Sequence, residues 1–200
     1  TFPKILQVKD ILIYLLMIAN KKRNKFNGKI IAITGSVGKT SIKENLKYFL
    51  SNQGKISTAI KSYNNYLGVL ISLINMDLYS IFAIFEIGTN NFNEIKKLTA
   101  LVMPHQVIIT NICPTHLENF KTTRNVAIEK SDLFNPEFNP SIELLILPNS
   151  NEDEDYLNKL SKKYKINSVI TFGKHNEANY CLQNIEVINT FDFCEVLEAL

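Results

Sequence analysis

From residue 29 onward, short apolar runs alternate with longer stretches in which apolar side chains recur at helical spacing. The runs at 30–34, 55–59, 81–87, 107–111, 143–147 and 168–172 are nearly continuous in Ile, Val, Leu and Phe. Continuous runs predict strands buried on both faces of a parallel sheet, because a strand with one wet face alternates instead. Between them, 39–52, 67–75, 93–101, 123–134 and 153–164 read as helices. Strand, helix, strand repeated in this way predicts an α/β fold, a mostly parallel sheet with helices on both faces and right-handed crossovers. Residues 178–193 alternate on a shorter period and predict an antiparallel edge. The polar stretch 149–155 reads as a loop leading into a helix, and no internal repeat is present.

Ahead of the first strand lies the longest apolar run, 11–19. It falls well short of the roughly 18–20 residues that span a bilayer. Asp10 abuts it, and Lys21-Lys22-Arg23 follows it, the reverse of a signal peptide's charge order. The run predicts a buried helix docked on the domain, so that 1–27 lead into a domain formed by 28–200.

Composition narrows this picture without redirecting it. The 200 residues are 46% hydrophobic, enough for a sizeable core and too many for a disordered chain. Basic and acidic side chains number 22 and 19, a net +3 that obliges no face to bind nucleic acid. Cys113, Cys181 and Cys194 have no CxxC spacing, which argues against a disulfide scaffold or a zinc site and for the reducing cytoplasm. The chain does not begin with Met, as expected of a piece of a longer protein.

Polar residues stand where the strands end: Thr34 after the first, Glu86 in the third, Asn111 after the fourth and Asn149 after the fifth. Ligands of open parallel sheets bind beyond the carboxyl ends of the strands, so these positions predict a site along one sheet edge. The first strand runs into Thr34-Gly35-Ser36-Val37-Gly38-Lys39-Thr40-Ser41 and then a helix. Gly35 and Gly38 allow a tight turn with amides facing inward, and the helix presents free N–H groups to an anion. In such a loop Lys39 reaches the β- and γ-phosphates and the Thr40 hydroxyl serves Mg²⁺. Ile33 replaces the first Gly of the full phosphate-loop pattern. Glu86, at the end of an apolar strand, needs a partner if buried, and Mg²⁺ is a fitting one.

The shortened loop resembles that of the ATP-dependent Mur ligases and folylpolyglutamate synthases. Further segments resemble the Mur ligases of the MurF type, which join D-alanyl-D-alanine to UDP-N-acetylmuramoyl-tripeptide. They are Tyr63-Asn64-Asn65-Tyr66-Leu67-Gly68-Val69, Glu86-Ile87-Gly88-Thr89-Asn90 with Glu94-Ile95, Thr110-Asn111-Ile112 followed by His116-Leu117-Glu118, and Ala127-Ile128-Glu129-Lys130. Covering nearly the whole chain in order, the resemblance implies the central ATP-binding domain of such a ligase, with its flanking domains not evident. It implies ATP and Mg²⁺ as cofactors and the loop, Asn111 and Asn149 as nucleotide contacts, with Asn149 reading adenine. It implies Glu86 and His116 as metal ligands beside Thr40, and a carbamate on Lys130. Asn64 and Asn65 would contact the muramoyl-peptide or hold the γ-phosphate side of the site. His105 and His175 carry no such context. The implied enzyme is a cytoplasmic monomer that makes an acyl phosphate and then an amide.

The residues leave two other readings. One is another ligase of the same superfamily, MurE-like or folylpolyglutamate synthase-like, against which Glu86-x-Gly88-x-Asn90 and His116-Leu117-Glu118 argue. The other is a nucleotide-binding module without catalysis, against which intact Lys39, Glu86, His116 and Lys130 argue. Departures from the family pattern are Val37 for Asn, Leu70 for Pro, Asn93 for Gly and Asp132 for Glu.

Overall fold

The run at 30–34 is buried throughout, and its side chains divide between two cores. Ile30 and Ala32 join a large cluster on one face, and Ile31 and Ile33 join a smaller one on the other. That division follows from the two-residue period of a strand. In the computed structural model, which describes residues 7–59, 63–174 and 176–182, this strand (β1, Lys29–Thr34) lies inside a seven-stranded sheet. The others are β2 (Ile56–Thr58), β3 (Phe82–Glu86), β4 (Gln106–Ile109), β5 (Leu144–Pro148), β6 (Val169–Gly173) and β7 (Tyr180–Cys181), in the order β2-β3-β1-β4-β5-β6-β7.

Every pairing is parallel, including β6 with β7. The antiparallel edge expected from 178–193 is therefore corrected at Tyr180–Cys181, and residues 183–193 lie outside the described residues. The reason is local. Asn179 Oδ1 accepts the Thr171 N–H at 2.8 Å, and Thr171 Oγ1 accepts the Asn179 N–H at 3.0 Å. This reciprocal pair holds Asn179 back against β6, and β7 runs in the same direction as β6.

Among the described residues, α1 (Ile11–Lys25) precedes the sheet and six helices lie between its strands: α2 (Lys39–Ser51), α3 (Tyr66–Asn75), α4 (Glu94–Val102), α5 (Leu117–Phe120), α6 (Thr123–Ser131) and α7 (Glu152–Lys163). Ile42, Leu46 and Leu50 of α2 cover Ile31, Ile33, Ile84 and Ile108, and the larger core takes its helical residues from α1, α3, α4, α6 and α7. Side-chain caps start the helices where the sequence offers them: Asp10 for α1, Asn65 for α3, Thr122 for α6 and Asn151 for α7.

The α1 helix docks against α3, but it is not buried along its apolar run. Ala19 and Arg23 are its buried residues, while Ile11, Leu12, Ile13 and Met17 are exposed. What anchors it is the basic segment. Lys22 Nζ donates to Met76 O at 2.7 Å, Arg23 Nε to Val102 O at 2.6 Å, and Arg23 Nη2 to Met103 O at 2.7 Å. Two cations thus cap the carboxyl ends of α3 and α4, where helix carbonyls lack partners. No helix among the described residues is long and apolar enough to cross a membrane.

The topology fixes where a ligand fits. From the end of β1 the chain leaves toward β2 and β3, and from the end of β4 it leaves toward β5. A crevice opens where adjacent strands send their connections in opposite directions, here between β1 and β4.

Candidate nucleotide and metal site

The loop after β1 sits in that crevice, and its two glycines are required. Gly35 has φ 148°, and a Cβ there would lie 1.9 Å from Thr110 Oγ1. Gly38 has φ 83° and opens α2 without a side chain of its own to cap it. Residues after β4 brace the loop from below. Asn111 Oδ1 accepts the N–H groups of Ser36 and Val37 at 3.1 and 3.0 Å, and the Thr110 hydroxyl donates to Val37 O at 2.5 Å. Ser36 Oγ accepts the Cys113 N–H at 2.9 Å and donates to Cys113 O at 3.0 Å. Asn111 therefore holds the loop amides, a bracing contact the sequence did not disclose.

Lys39 folds back over the loop, its ammonium donating to Gly35 O at 2.8 Å and lying 3.4 Å from Ser36 O. Burial lowers its pKa, and the Glu86 charge opposes that shift. Glu86 is 2% exposed. Its Oε2 accepts the Thr40 hydroxyl at 2.9 Å, and its Oε1 accepts the Asn64 amide at 3.0 Å. A buried carboxylate in contact with one hydroxyl oxygen is a pair of hard oxygen ligands of the kind Mg²⁺ takes. Among the described residues no group of three or more His, Cys, Asp or Glu is placed to hold a metal alone. Such a donor set fits a cation that completes its shell with phosphate oxygens.

A cavity of about 830 Å³ joins these parts to the rest of the sheet edge. Gly35, Ser36 and Lys39 line one side, Asn64, Asn65, Gly88, Thr89 and Asn90 another, and Thr115, His116 and Lys130 also border it. His116 stands at φ 52° at the start of α5, half-exposed, with Nδ1 3.7 Å from Glu118 Oε1. Asn65 caps α3 through the Gly68 N–H at 2.8 Å.

Lys130, by contrast, is 4% exposed. Burial, with help from the nearby Lys39 charge, brings its pKa down to about 7, and Glu129 works against that. At neutral pH a large share of its amine is thus unprotonated and nucleophilic.

Of the predicted residues, the structure brings Gly35, Ser36, Lys39, Asn64, Asn65, His116 and Lys130 to this cavity, with Glu86, Thr40 and Asn111 in contact with them. Thr34 is fully buried beneath the loop, its hydroxyl without a partner, and Val37 and Ser41 face solvent. Asn149 is not brought there. It borders a second cavity of about 430 Å³ with Asn158, Thr171 and Asn179, and its Oδ1 has no partner. His105 is structural, its Nδ1 accepting the Ile30 N–H at 2.9 Å, and His175 lies outside the described residues.

This fold and loop define a parallel α/β domain whose first strand runs through a glycine turn into a helix. The family model described as the Mur ligase middle domain matches residues 33–197, and the chain belongs to that family. It is 35% identical over 176 residues to the UDP-N-acetylmuramoyl-tripeptide–D-alanyl-D-alanine ligase of Rickettsia prowazekii, covering 88% of this chain and 39% of that protein. A crystal structure of MurF from Acinetobacter baumannii superposes with a TM-score of 0.76 at 26% identity, covering 90% of this chain and 38% of that one. MurF ligase from Thermotoga maritima in complex with ADP shares the fold, with a TM-score of 0.77 at 24% identity over 92% of this chain and 41% of that one. The chain spans about two-fifths of the length of these relatives.

Proposed function

We propose that this chain is the middle, nucleotide-binding domain of an ATP-dependent, ADP-forming amide ligase, with 1–27 leading into the domain and 28–200 forming it. The reaction is the addition of D-alanyl-D-alanine to UDP-N-acetylmuramoyl-tripeptide, carried out in the cytoplasm by a monomer. The observation that carries this reading is one cavity bordered by Lys39 and the buried Lys130, with the Thr40–Glu86 pair joined to it through Asn64. Relatives of the same family named for that reaction support the choice of substrates.

In this mechanism the carboxylate of the tripeptide attacks the γ-phosphorus of ATP, and ADP departs. The dipeptide amine then adds to the acyl phosphate, and phosphate leaves as the amide forms and the amine loses its proton. The chain's part is to orient and to balance charge. The Gly38, Lys39 and Thr40 amides at the start of α2 and the Lys39 ammonium hold the phosphates, and Lys39 offsets charge on the group in flight. Thr40, Glu86 and His116 would hold Mg²⁺, which supplies further positive charge at the phosphates. The unprotonated Lys130 amine adds to CO₂ and loses a proton, giving a carbamate that replaces a buried cation with an anion facing the same site.

Lys39→Ala tests the loop assignment. In the complete ligase, turnover should fall roughly 10²- to 10³-fold, the effect of removing one preorganised group from a developing charge. The melting temperature should stay nearly constant, because Lys39 bonds only to loop carbonyls. Wild-type turnover in the variant, or ligation of single amino acids in preference to D-alanyl-D-alanine, defeats the reading.

A further inference from the structure

Glu129 immediately precedes Lys130 and is 2% exposed. Its two oxygens serve different donors. Oε2 accepts the Asn93 N–H at 2.8 Å, and Oε1 accepts the Ile95 N–H at 2.9 Å. Oε1 also lies 3.4 Å from the Thr89 hydroxyl. Those amides open α4, whose own cap residue, Asn93, sits at φ 65° and makes no side-chain cap bond. The amino end of α4 is therefore capped from α6, by a carboxylate on the side where the helix dipole favours one.

The segment held in this way is a wall of the main cavity, to which Gly88, Thr89, Asn90 and Glu94 contribute. Glu94 closes the same turn from within, Oε2 accepting the Asn90 and Asn91 N–H groups at 2.7 and 3.2 Å. The Gly88 N–H donates to Asn64 O at 2.9 Å, so the wall continues to the residue that holds Glu86. It borders the same cavity beside the phosphate loop, and its side chains there, Thr89, Asn90 and Glu94, include no cation, which fits a peptide better than a polyphosphate.

We infer that Glu129 is a positioning residue that locks the 88–94 wall to the helix of Lys130, so that the peptide of the muramoyl substrate is presented to the phosphates. This rests on the ligase reading above and deepens it.

Glu129→Gln in the complete ligase is the test, because it keeps the volume and replaces one acceptor with a donor that faces an N–H. The KM for UDP-N-acetylmuramoyl-tripeptide should rise roughly tenfold or more, the effect of losing one carboxylate-to-amide hydrogen bond, while the KM for ATP stays within about twofold. The Asn93 and Ile95 amides should exchange with solvent roughly tenfold faster. Glu129→Asp retains both acceptors on a shorter arm and should give an intermediate tripeptide KM, which covers the case of a poorly folded Gln variant. Unprotected amides with an unchanged tripeptide KM, or an ATP KM that rises equally, overturns the inference and leaves the ligase reading intact. A wild-type protein that neither ligates nor binds the tripeptide overturns both.

Discussion

Lys39 and Lys130 both approach the cavity, and their surroundings set them apart. Lys39 opens α2 directly after the loop and keeps Glu86 as its counter-charge. Lys130 is enclosed by its helix and its neighbours, and with Lys39 nearby its proton is held weakly, at a pKa of about 7. Carbamate formation needs the free amine, so it is favoured above pH 7 and suppressed as pH falls through that value. Activity of the complete ligase is expected to fall on that acidic side, and lowering dissolved CO₂ near pH 7 should lower it further. Lys130→Ala should be inactive and partly restored by a short-chain carboxylate, which returns the negative charge. Lys130→Arg should not be restored, since bulk and positive charge remain; full activity in that variant would defeat the carbamate. The phosphate loop was legible because glycine spacing dictates backbone geometry. Glu129 was not, because its partners, Asn93 and Ile95, are more than thirty residues away and are backbone amides that no side-chain pattern announces.

At the level of elements, the apolar runs located six strands to within two residues at either end. Burial on both faces explains the continuous signal of β1, β3 and β4, while β2 and β6 are only half-buried. The four-residue α5 was missed, being too short to show a period. The parallel β7 was missed because its direction is set by Asn179 and Thr171 rather than by hydrophobicity. The role of Lys22 and Arg23 was hidden for a similar reason: a basic run reads the same whether it meets solvent or helix carbonyls. Arg23→Ala should destabilise the domain by about 2 kcal/mol, since it leaves the Val102 and Met103 carbonyls unpaired at a buried helix end. A lower denaturant midpoint at an unchanged slope would register this, and Arg23→Lys should recover part of it. His105 pins β1 in the same manner. Burial first, then Arg23 and Lys29, hold its pKa below the ordinary 6.5, against the opposing pull of Glu143. The unfolded chain therefore binds the proton more readily. Stability from His105 is complete above about pH 6.5 and is lost as pH falls through the folded value. His105→Gln, which keeps an acceptor but does not titrate, should flatten the stability profile on the acid side of about pH 6.5. A variant as acid-sensitive as the wild type would show that other groups govern that range.

Across the whole molecule, one sheet edge does most of the assembly. The opposed connections at β1 and β4 open the crevice, the loop after β1 fills it, and the segment after β4 braces the loop from the other side. On the proposed reading, the phosphate and metal half of the site lies within the described residues. The 200-residue chain alone should therefore bind ATP in the presence of Mg²⁺, more weakly than the complete ligase. Ligation is a different requirement. It holds a carboxylate, a phosphoryl group and an amine in one frame from which water is excluded, and effective-molarity gains of roughly 7–11 kcal/mol depend on that arrangement. The relatives devote about three-fifths of their length to segments this chain does not match. On the proposed reading those segments hold the uridine nucleotide and close over ATP, so the chain by itself should turn over no substrate that calls for them. Calorimetric titration with ATP and Mg²⁺, alongside a phosphate-release assay with the muramoyl tripeptide and D-alanyl-D-alanine, reads both halves of this expectation. Binding without release is the expected result. Tripeptide-dependent release at an ordinary enzyme rate would show that the reacting groups are already gathered within residues 1–200, and the assignment of this chain as a middle domain would have to be redrawn.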